Sequence, residues 1–188
     1  MVFWLLLLII IKLLKIGLVE HYKAISSSVS IPIILYNVPS RTGMNISPET
    51  CFELSKIDNI VGIKEASGNI SQVAQIANLC GNDFNIYSGN DDQIVPILSL
   101  GGKGVISVLS NINPKLTCSI TNSFFKKATD EACYYQLQAL PIINALFSET
   151  NPIPVKEAIN ILGFDFREPR LPLIKCSPSL RECLHNLL

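Results

Sequence analysis

The sequence predicts an α/β fold in which about four consecutive βα units are followed by a helical C-terminal region. Short apolar runs rich in β-branched residues recur about every two dozen residues along the first part of the chain. Each run is followed by a polar turn and a stretch with helical periodicity. Beyond residue 127 only the helical periodicity continues. Strands this apolar, separated by helices, indicate a parallel sheet that is covered on both faces.

The elements follow from these patterns. An N-terminal strand is predicted to lead into a helix that begins near Gly17. Ser47 and Pro48 fit the N-cap and the first position of a later helix. The other predicted strands cover residues 33–37, 60–64, 84–88 and 104–108, and the other predicted helices cover residues 71–80, 93–100, 114–127, 131–147, 154–162 and 179–187. Doubly wound sheets and (β/α)8 barrels both contain such units, so the pattern leaves both architectures open.

The composition describes a neutral chain that can build a large core. Of 188 residues, 48% are hydrophobic and 16% are charged, which excludes an intrinsically disordered protein. The 15 basic residues balance the 15 acidic residues, whereas nucleic-acid binders usually carry a basic excess. We therefore expect no nucleic-acid partner. The length by itself suggests a single domain.

Cysteines and histidines give no pattern of a metal site. The 6 cysteines form no CxxC pair and no cluster with zinc-site spacing, and the 2 histidines, His21 and His185, lie at opposite ends of the sequence. An even number of cysteines would permit disulfides, but a chain with this much core does not depend on them. We expect free thiols, no metal and a cytoplasmic protein.

The first residues, 1–19, read MVFWLLLLIIIKLLKIGLV. The unbroken apolar run is about half as long as a transmembrane helix requires, and Lys12 and Lys15 interrupt its continuation. A secretory signal would carry positive charge before the apolar core and a small-residue cleavage site after it, and this sequence has neither. Composition leaves two interpretations, a membrane anchor and a strand that leads into a helix.

Lys64 is the most informative residue at the predicted strand ends. It closes an apolar strand, so in a barrel its amine would project into the mouth of the barrel. Lost hydration lowers the pKa of an ammonium group and frees the neutral amine, which attacks a carbonyl carbon to form an imine. The alternative is a lysine that ends an edge strand and reaches into water.

Tyr36 and Arg41 lie at and just after the end of the preceding predicted strand. A phenol beside Lys64 can transfer protons as an imine forms and collapses; the alternative is a core tyrosine. Arg41 offers a planar fork for a carboxylate; the alternative is a solvated turn residue. Together the three residues indicate a substrate that carries both a carbonyl group and a carboxylate.

Two glycine-containing turns are also candidates for binding. Gly89 and Asn90, with Asp91, could present backbone N–H groups to an anion at the start of a helix; the alternative is a turn that only caps the helix. Gly101 and Gly102 match no phosphate-binding motif and are expected in a tight turn before a strand.

Five motifs taken together resemble the dihydrodipicolinate synthase family, one of the pyruvate-dependent class I aldolases, which include N-acetylneuraminate lyase. They are YNVPSRTG at 36–43, GIKEASGN at 62–69, YSGNDDQ at 87–93, GGKGVISV at 101–108 and NPIPVK at 151–156. The resemblance begins near Gly17 and implies the C-terminal half of a TIM (β/α)8 barrel. We expect an aberrant N-terminus over 1–16, a partial barrel over 17–127 and a C-terminal helical domain over 128–188.

The resemblance implies a Schiff-base condensation of pyruvate with L-aspartate 4-semialdehyde to 4-hydroxy-tetrahydrodipicolinate, on the way to diaminopimelate and lysine. Lys64 matches the lysine that forms the imine with pyruvate, and Tyr36 matches the tyrosine that transfers protons. Arg41 matches the arginine that receives the semialdehyde carboxylate, and Ile106 matches the residue whose backbone touches pyruvate. No cofactor beyond the covalent imine is implied, and members of the family are usually homotetramers.

This sequence also departs from the family pattern. It lacks the Gly-Thr-Thr-Gly-Glu turn, which holds the pyruvate carboxylate, and the Thr-Pro-Tyr-Tyr-Asn segment, which supplies a relay tyrosine. The abrupt return of the family pattern at Gly17 suggests that residues 1–16 are a frame-shifted remnant. Half a barrel exposes strand edges, so we expect an unstable chain, or one that pairs with a second copy or a separate N-terminal fragment. The alternative functions are an inactive fragment or pseudo-enzyme, a related pyruvate-dependent aldolase and a membrane-tethered protein.

Overall fold

The computed structural model describes residues 3–6 and 15–188. The chain forms two compact units that divide between Ile106 and Ser107. The domain boundaries expected from the sequence, after residues 16 and 127, stay a prediction. The interpretations of residues 1–16 as a remnant or an anchor fall mostly outside the described residues. In the part of the chain that the structure describes, no helix is long and apolar enough to cross a membrane.

Strands and helices alternate in unit 1, and unit 2 is helical. Unit 1 contains β1 (Phe3–Leu6), α1 (Lys15–Ser28), β2 (Ile33–Asn37), α2 (Pro39–Thr42), α3 (Pro48–Ser55), β3 (Ile60–Glu65), α4 (Ile70–Cys80), β4 (Asn85–Ser88), a 3-10 turn (Asp91–Gln93), α5 (Ile94–Ser99) and β5 (Gly104–Val105). Unit 2 contains a 3-10 turn (Leu109–Asn111), α6 (Pro114–Phe125), α7 (Thr129–Phe147), α8 (Ile153–Ile161) and α9 (Pro178–Leu187).

The described strands form one parallel sheet in chain order, from β1 to β5. Tyr36 on β2 is the register partner of Lys64 on β3, and Asn37 is the partner of Glu65 one residue further on. Because side chains alternate along a strand, these two pairs face opposite sides of the sheet. The predicted α/β architecture with parallel strands is confirmed.

The core of unit 1 lies on the helix-covered face of the sheet. Leu35 and Ile63 contribute from the strands and are fully buried. The helices contribute Leu18, Tyr22, Cys51, Leu54, Val73, Ile76 and Ile97. Burying one such apolar side chain stabilises the fold by about 1.5–3 kcal/mol, so this layer fixes the positions of the strands. Asn37 and Glu65 share this face, whereas Tyr36 and Lys64 lie on the other one.

The helix starts follow the predicted capping chemistry. The Ser47 hydroxyl accepts a hydrogen bond from the Thr50 N–H at 3.3 Å, and Pro48 opens α3. At the start of α4, the Asn69 side chain accepts from the Gln72 N–H at 3.1 Å. Each cap satisfies a backbone donor that has no partner inside its helix, and the N-cap predicted at Ser47 is confirmed.

Two local features differ from the sequence-based expectation. The last strand was expected over residues 104–108 but covers only Gly104–Val105, because its neighbour β4 ends at Ser88, the register partner of Val105. The Ile106 N–H still donates to the Ser88 carbonyl at 2.8 Å. The short helix α2 was not expected. Pro39 opens it, and Gly43 ends it with a positive φ of 67°, a conformation that glycine adopts without strain.

Unit 2 is built from helices whose apolar faces pack together. Its most buried side chains include Ile120, Ala139, Leu146, Ala158 and Leu184, which come from α6 to α9. The helices predicted over 114–127, 131–147, 154–162 and 179–187 are confirmed to within about two residues at their ends.

Candidate active site

Lys64 and Tyr36 lie side by side at the C-terminal ends of β3 and β2. The Lys64 Nζ is 4.3 Å from the centroid of the Tyr36 ring. Both side chains are half-buried on the sheet face opposite the helices. The parallel register therefore brings together the two residues that the sequence proposed for imine chemistry.

The surroundings of Lys64 favour its neutral form. Burial lowers the pKa of the Lys64 ammonium group, and the nearby positive charge of Arg41 lowers it further. The negative charge of Asp91 acts in the opposite direction and raises that pKa. Because burial is the largest of the three causes, the net shift is downward. A larger fraction of Lys64 is then a free amine near neutral pH, which is the form that attacks a carbonyl carbon.

The Tyr36 hydroxyl is held in its protonated form. Burial raises the pKa of Tyr36, and the Arg41 charge opposes this shift only in part. A phenol that keeps its proton beside an amine nucleophile can donate that proton to a departing hydroxyl group. Tyr36 is thus suited to assist the loss of water as an imine forms.

Arg41 lies on the exposed surface of α2, close enough to affect the pKa of both Tyr36 and Lys64. The turn around it is braced by the buried side chain of Thr42, whose hydroxyl donates to the Met44 carbonyl at 3.0 Å. A guanidinium on a braced turn beside a half-buried amine suits a substrate that carries a carboxylate.

Gly89 leaves space for the Lys64 side chain. A Cβ at Gly89 would lie 2.6 Å from the Ala66 Cβ and 3.1 Å from the Lys64 Cε. The Gly89 N–H donates to the Glu65 carbonyl at 2.7 Å, and the Asn90 N–H donates to the Ser88 hydroxyl at 3.3 Å. Both N–H groups are therefore engaged within the protein. Substrate contacts of Gly89 and Asn90 stay a prediction, and they would involve other atoms of these two residues.

Ile106 follows β5 directly, at the edge of the same sheet. Its N–H donates to the Ser88 carbonyl at 2.8 Å, which fixes the backbone at this point. A contact between its backbone and pyruvate stays a prediction.

Two buried side-chain carboxylates of this region have no role in the site predicted from the sequence, where Asp91 appears only for its backbone N–H. Asp91 is 1% exposed, and its charge acts on Lys64. Glu65 is also 1% exposed, and side-chain amides surround it on the helix-covered face. The signal was present in the motifs GIKEASGN and YSGNDDQ, where each acid directly adjoins an apolar strand or its turn.

A second titratable pair lies outside the Lys64 site, between α3 and α4. A hydrogen bond with Cys51 lowers the pKa of Cys80 to about 7, although burial opposes the shift. Cys51 is fully buried in the core of unit 1, whereas Cys80 is half-buried. All 6 cysteines are free thiols in the structure.

We predict that Cys80 is alkylated by iodoacetamide with a pH midpoint near 7, against about 8.5 for an ordinary cysteine. Peptide mass spectrometry over a pH series measures this midpoint. Cys51→Ala removes the hydrogen bond and should raise the midpoint, while Cys133→Ala is the matched control and should leave it unchanged. A midpoint that does not respond to Cys51→Ala would contradict the prediction.

The chain is similar to known proteins over most of its length. Residues 11–188 match the sequence model of the Dihydrodipicolinate synthetase family. The 4-hydroxy-tetrahydrodipicolinate synthase of Caldicellulosiruptor saccharolyticus is 61% identical over 172 residues, which cover 92% of this chain and 58% of that protein. The chain thus spans about 58% of the length of this curated relative. Among the residues that the structure describes, no three His, Cys, Asp or Glu side chains are grouped as metal ligands.

Solved structures show the same fold. The crystal structure of dihydrodipicolinate synthase from Thermotoga maritima matches with a TM-score of 0.91 at 42% identity, covering 94% of this chain and 61% of that chain. The chloride-inhibited dihydrodipicolinate synthase from Acinetobacter baumannii, complexed with pyruvate, matches with a TM-score of 0.90 at 38% identity, covering 94% of this chain and 60% of that chain. The predicted fold, part of a TIM barrel followed by helices, is confirmed.

Proposed function

The chain belongs to the dihydrodipicolinate synthetase family, and on that premise we propose that Lys64 forms an imine with pyruvate for condensation with L-aspartate 4-semialdehyde. The observation that carries this proposal is the contact between the half-buried Lys64 amine and the Tyr36 ring. The lowered pKa of Lys64 supports it, because imine formation starts from the neutral amine.

Chemically, the Lys64 Nζ adds to the ketone carbon of pyruvate and forms a C–N bond. One N–H proton of the amine passes to the former ketone oxygen, and Tyr36 is proposed to donate a second proton, so that the oxygen leaves as water and a protonated imine remains; the contact between Lys64 and the Tyr36 ring supports this role. The imine then loses a proton from the pyruvate methyl group, which the Tyr36 phenolate is proposed to accept, and gives an enamine. The enamine carbon attacks the aldehyde carbon, and the aldehyde oxygen takes up that proton and stays as the 4-hydroxyl group. In the last step the substrate's own amine displaces Lys64, so the ring closes and the free lysine is restored.

The other site residues receive roles around this centre. Arg41 is proposed to bind the semialdehyde carboxylate through its guanidinium fork. Gly89, Asn90 and Ile106 are proposed to line the position of pyruvate. No cofactor beyond the covalent imine is needed in this scheme. A homo-oligomer and a cytoplasmic location complete the proposal. The family resemblance of the sequence motifs supports the first, and the free cysteines support the second.

The test is to trap the imine with sodium borohydride in the presence of pyruvate. Reduction fixes the pyruvate carbon skeleton on the lysine nitrogen, and peptide mass spectrometry locates it. The expected result is a pyruvate-dependent adduct on Lys64, with none when pyruvate is left out. Folded protein that yields no adduct would refute the proposal and favour a non-catalytic member of the family. With the adduct established, rates with L-aspartate 4-semialdehyde and with other aldehydes would identify the second substrate.

A further inference from the structure

A polar cluster with a buried centre lies behind the Lys64 site, on the helix-covered face of the sheet. It consists of the side chains of Glu65, Asn37, Asn45 and Gln72, and we refer to it as the Glu65 cluster. Asn37, Glu65 and Gln72 are buried, and Asn45 is exposed at its edge. These residues come from the end of β3, the end of β2, the loop before α3 and the first turn of α4. Their side chains therefore connect four separate segments of unit 1.

The Glu65 carboxylate is the centre of the cluster. The Asn37 Nδ2 donates to its two oxygens at 3.0 and 3.2 Å, and the Gln72 Nε2 donates to Oε2 at 3.2 Å. The backbone N–H of Ser67 donates to Oε1 at 2.7 Å. Each of these contacts offers an N–H to a carboxylate that is only 1% exposed. A buried carboxylate held this fully is costly to disturb, because any oxygen that loses its donor is left without water.

The cluster fixes the register of the two reactive side chains. Asn37 and Glu65 are cross-strand partners one position beyond Tyr36 and Lys64. The hydrogen bonds between Asn37 and Glu65 thus hold β2 against β3 next to the point where Tyr36 and Lys64 project to the opposite face. A shift of this register would change which side of the sheet each side chain faces.

The same cluster closes the loop that carries Arg41. The Asn37 Oδ1 accepts from the Ile46 N–H at 3.0 Å, and the Asn37 Nδ2 donates to the Asn45 Oδ1 at 2.8 Å. Asn45 and Gln72 exchange a reciprocal pair of amide hydrogen bonds at 2.7 and 3.1 Å. Both ends of the loop over 38–46 are therefore tied to Asn37, and through Asn37 to Glu65.

We propose that Glu65 is a positioning residue for the imine chemistry, and that its hydrogen bonds to Asn37 and Gln72 hold Lys64, Tyr36 and the Arg41 loop in their reactive arrangement. This inference rests on the proposed function, which supplies the reaction that the arrangement serves. Glu65 lies on the face opposite to Lys64, so it acts through the backbone that the two residues share.

The first variant is Glu65→Gln, which keeps the shape of the side chain and replaces one acceptor oxygen by a donor. One of the N–H groups around position 65 then meets another N–H. We expect borohydride trapping of pyruvate on Lys64 to slow by about 10- to 100-fold, since small displacements of a reacting group cost rates of this order. Glu53→Gln, on the exposed surface of α3, removes the same charge outside the cluster and should leave the rate unchanged.

The second variant exchanges the two partners, as Asn37→Asp combined with Glu65→Gln. The amide and the carboxylate then swap places across the strands, and the amides of Asn45 and Gln72 can turn over to match. We expect this double variant to recover most of the rate that Glu65→Gln loses. If Glu65→Gln does not fold, the double variant decides: near-parental trapping supports the proposal, and slow trapping by a folded double variant overturns it.

A readout without pyruvate separates this inference from the proposed function. Reductive methylation of Lys64 with formaldehyde and borohydride, measured over a pH series, gives the pH midpoint at which half of the Lys64 ammonium groups have become free amines. In Glu65→Gln we expect this midpoint to move upward, toward that of an exposed lysine, because a displaced side chain regains water. A parent chain that yields no pyruvate adduct refutes the proposed function, whatever this midpoint does. If the Glu65→Gln variant loses thermal stability but keeps the parental trapping rate and midpoint, then Glu65 has only a structural role and the inference is wrong.

Discussion

Replacement of Lys64 by methionine is expected to abolish the pyruvate adduct and to lower the condensation rate by at least about a thousandfold, the order seen when a nucleophile is removed. Methionine is apolar and similar in length, so it fills the half-buried position without leaving a cavity. It has no amine, so no C–N bond to the ketone carbon can form. Peptide mass spectrometry after borohydride treatment measures the adduct, and a coupled assay measures the condensation.

Lys56→Met provides the matched control for this substitution. Lys56 follows α3 directly and is about half-exposed, with its side chain paired to Glu53 and placed over the Phe52 ring. Its loss removes one lysine of unit 1 without touching the sheet, so the adduct on Lys64 should form at the parental rate. A pyruvate adduct that persists on another lysine in Lys64→Met would show that the reactive amine has been misassigned.

The pH dependence of borohydride trapping also tests the assignment of Lys64 as the reactive amine. Burial lowers the pKa of Lys64, so the trapping rate should rise with pH and level off below the ordinary lysine value of about 10.4. The Asp91 charge raises that pKa, so Asp91→Asn should move the midpoint to lower pH. A midpoint that rises in Asp91→Asn would contradict the electrostatic role given to Asp91. These measurements use the same borohydride assay over a pH series.

The parallel strands and the Lys64–Tyr36 pair were predictable because both depend on local patterns. Apolar runs of strand length, separated by helical periods, specify a parallel sheet, and the ends of neighbouring parallel strands lie at the same edge. Two polar residues near the ends of neighbouring parallel strands are therefore expected close together, provided that the register puts them on the same face. The N-cap at Ser47 was predictable for the same reason, since its hydrogen bond spans only three residues.

The buried acids were not predictable in this way. A charged residue is normally assigned to the surface, and only partners from distant segments reverse that assignment. Glu65 is buried because Asn37, 28 residues earlier, and Gln72, 7 residues later, supply amide donors. The length of β5 depended equally on a distant partner, since its pairing with β4 ends where Ser88 meets Val105. Such pairings become visible only once the strands have been placed in register.

Gly89→Ala is expected to give the second large effect, because it places a methyl group against the side chain of Lys64. The added Cβ would lie 2.6 Å from the Ala66 Cβ, 3.0 Å from the Glu65 carbonyl oxygen and 3.1 Å from the Lys64 Cε. Contacts this short force the neighbours to move, at a cost of about 1–3 kcal/mol in the free energy of unfolding. Displacement of the Lys64 Cε should also slow trapping by about a hundredfold. Thermal denaturation and borohydride trapping measure the two effects.

The arrangement of these contacts also supplies the control. In the double variant Ala66→Gly with Gly89→Ala, the methyl group changes sides and the 2.6 Å contact disappears, while the contacts with Glu65 and Lys64 remain. We therefore expect thermal stability to recover more fully than the trapping rate. Stability depends mainly on the 2.6 Å contact, which this double variant removes, whereas the trapping rate depends on the position of the Lys64 Cε. Equal recovery of both would show that Gly89→Ala acts only by destabilising the fold. A Gly89→Ala variant with parental trapping would show that Gly89 does not set the space around Lys64.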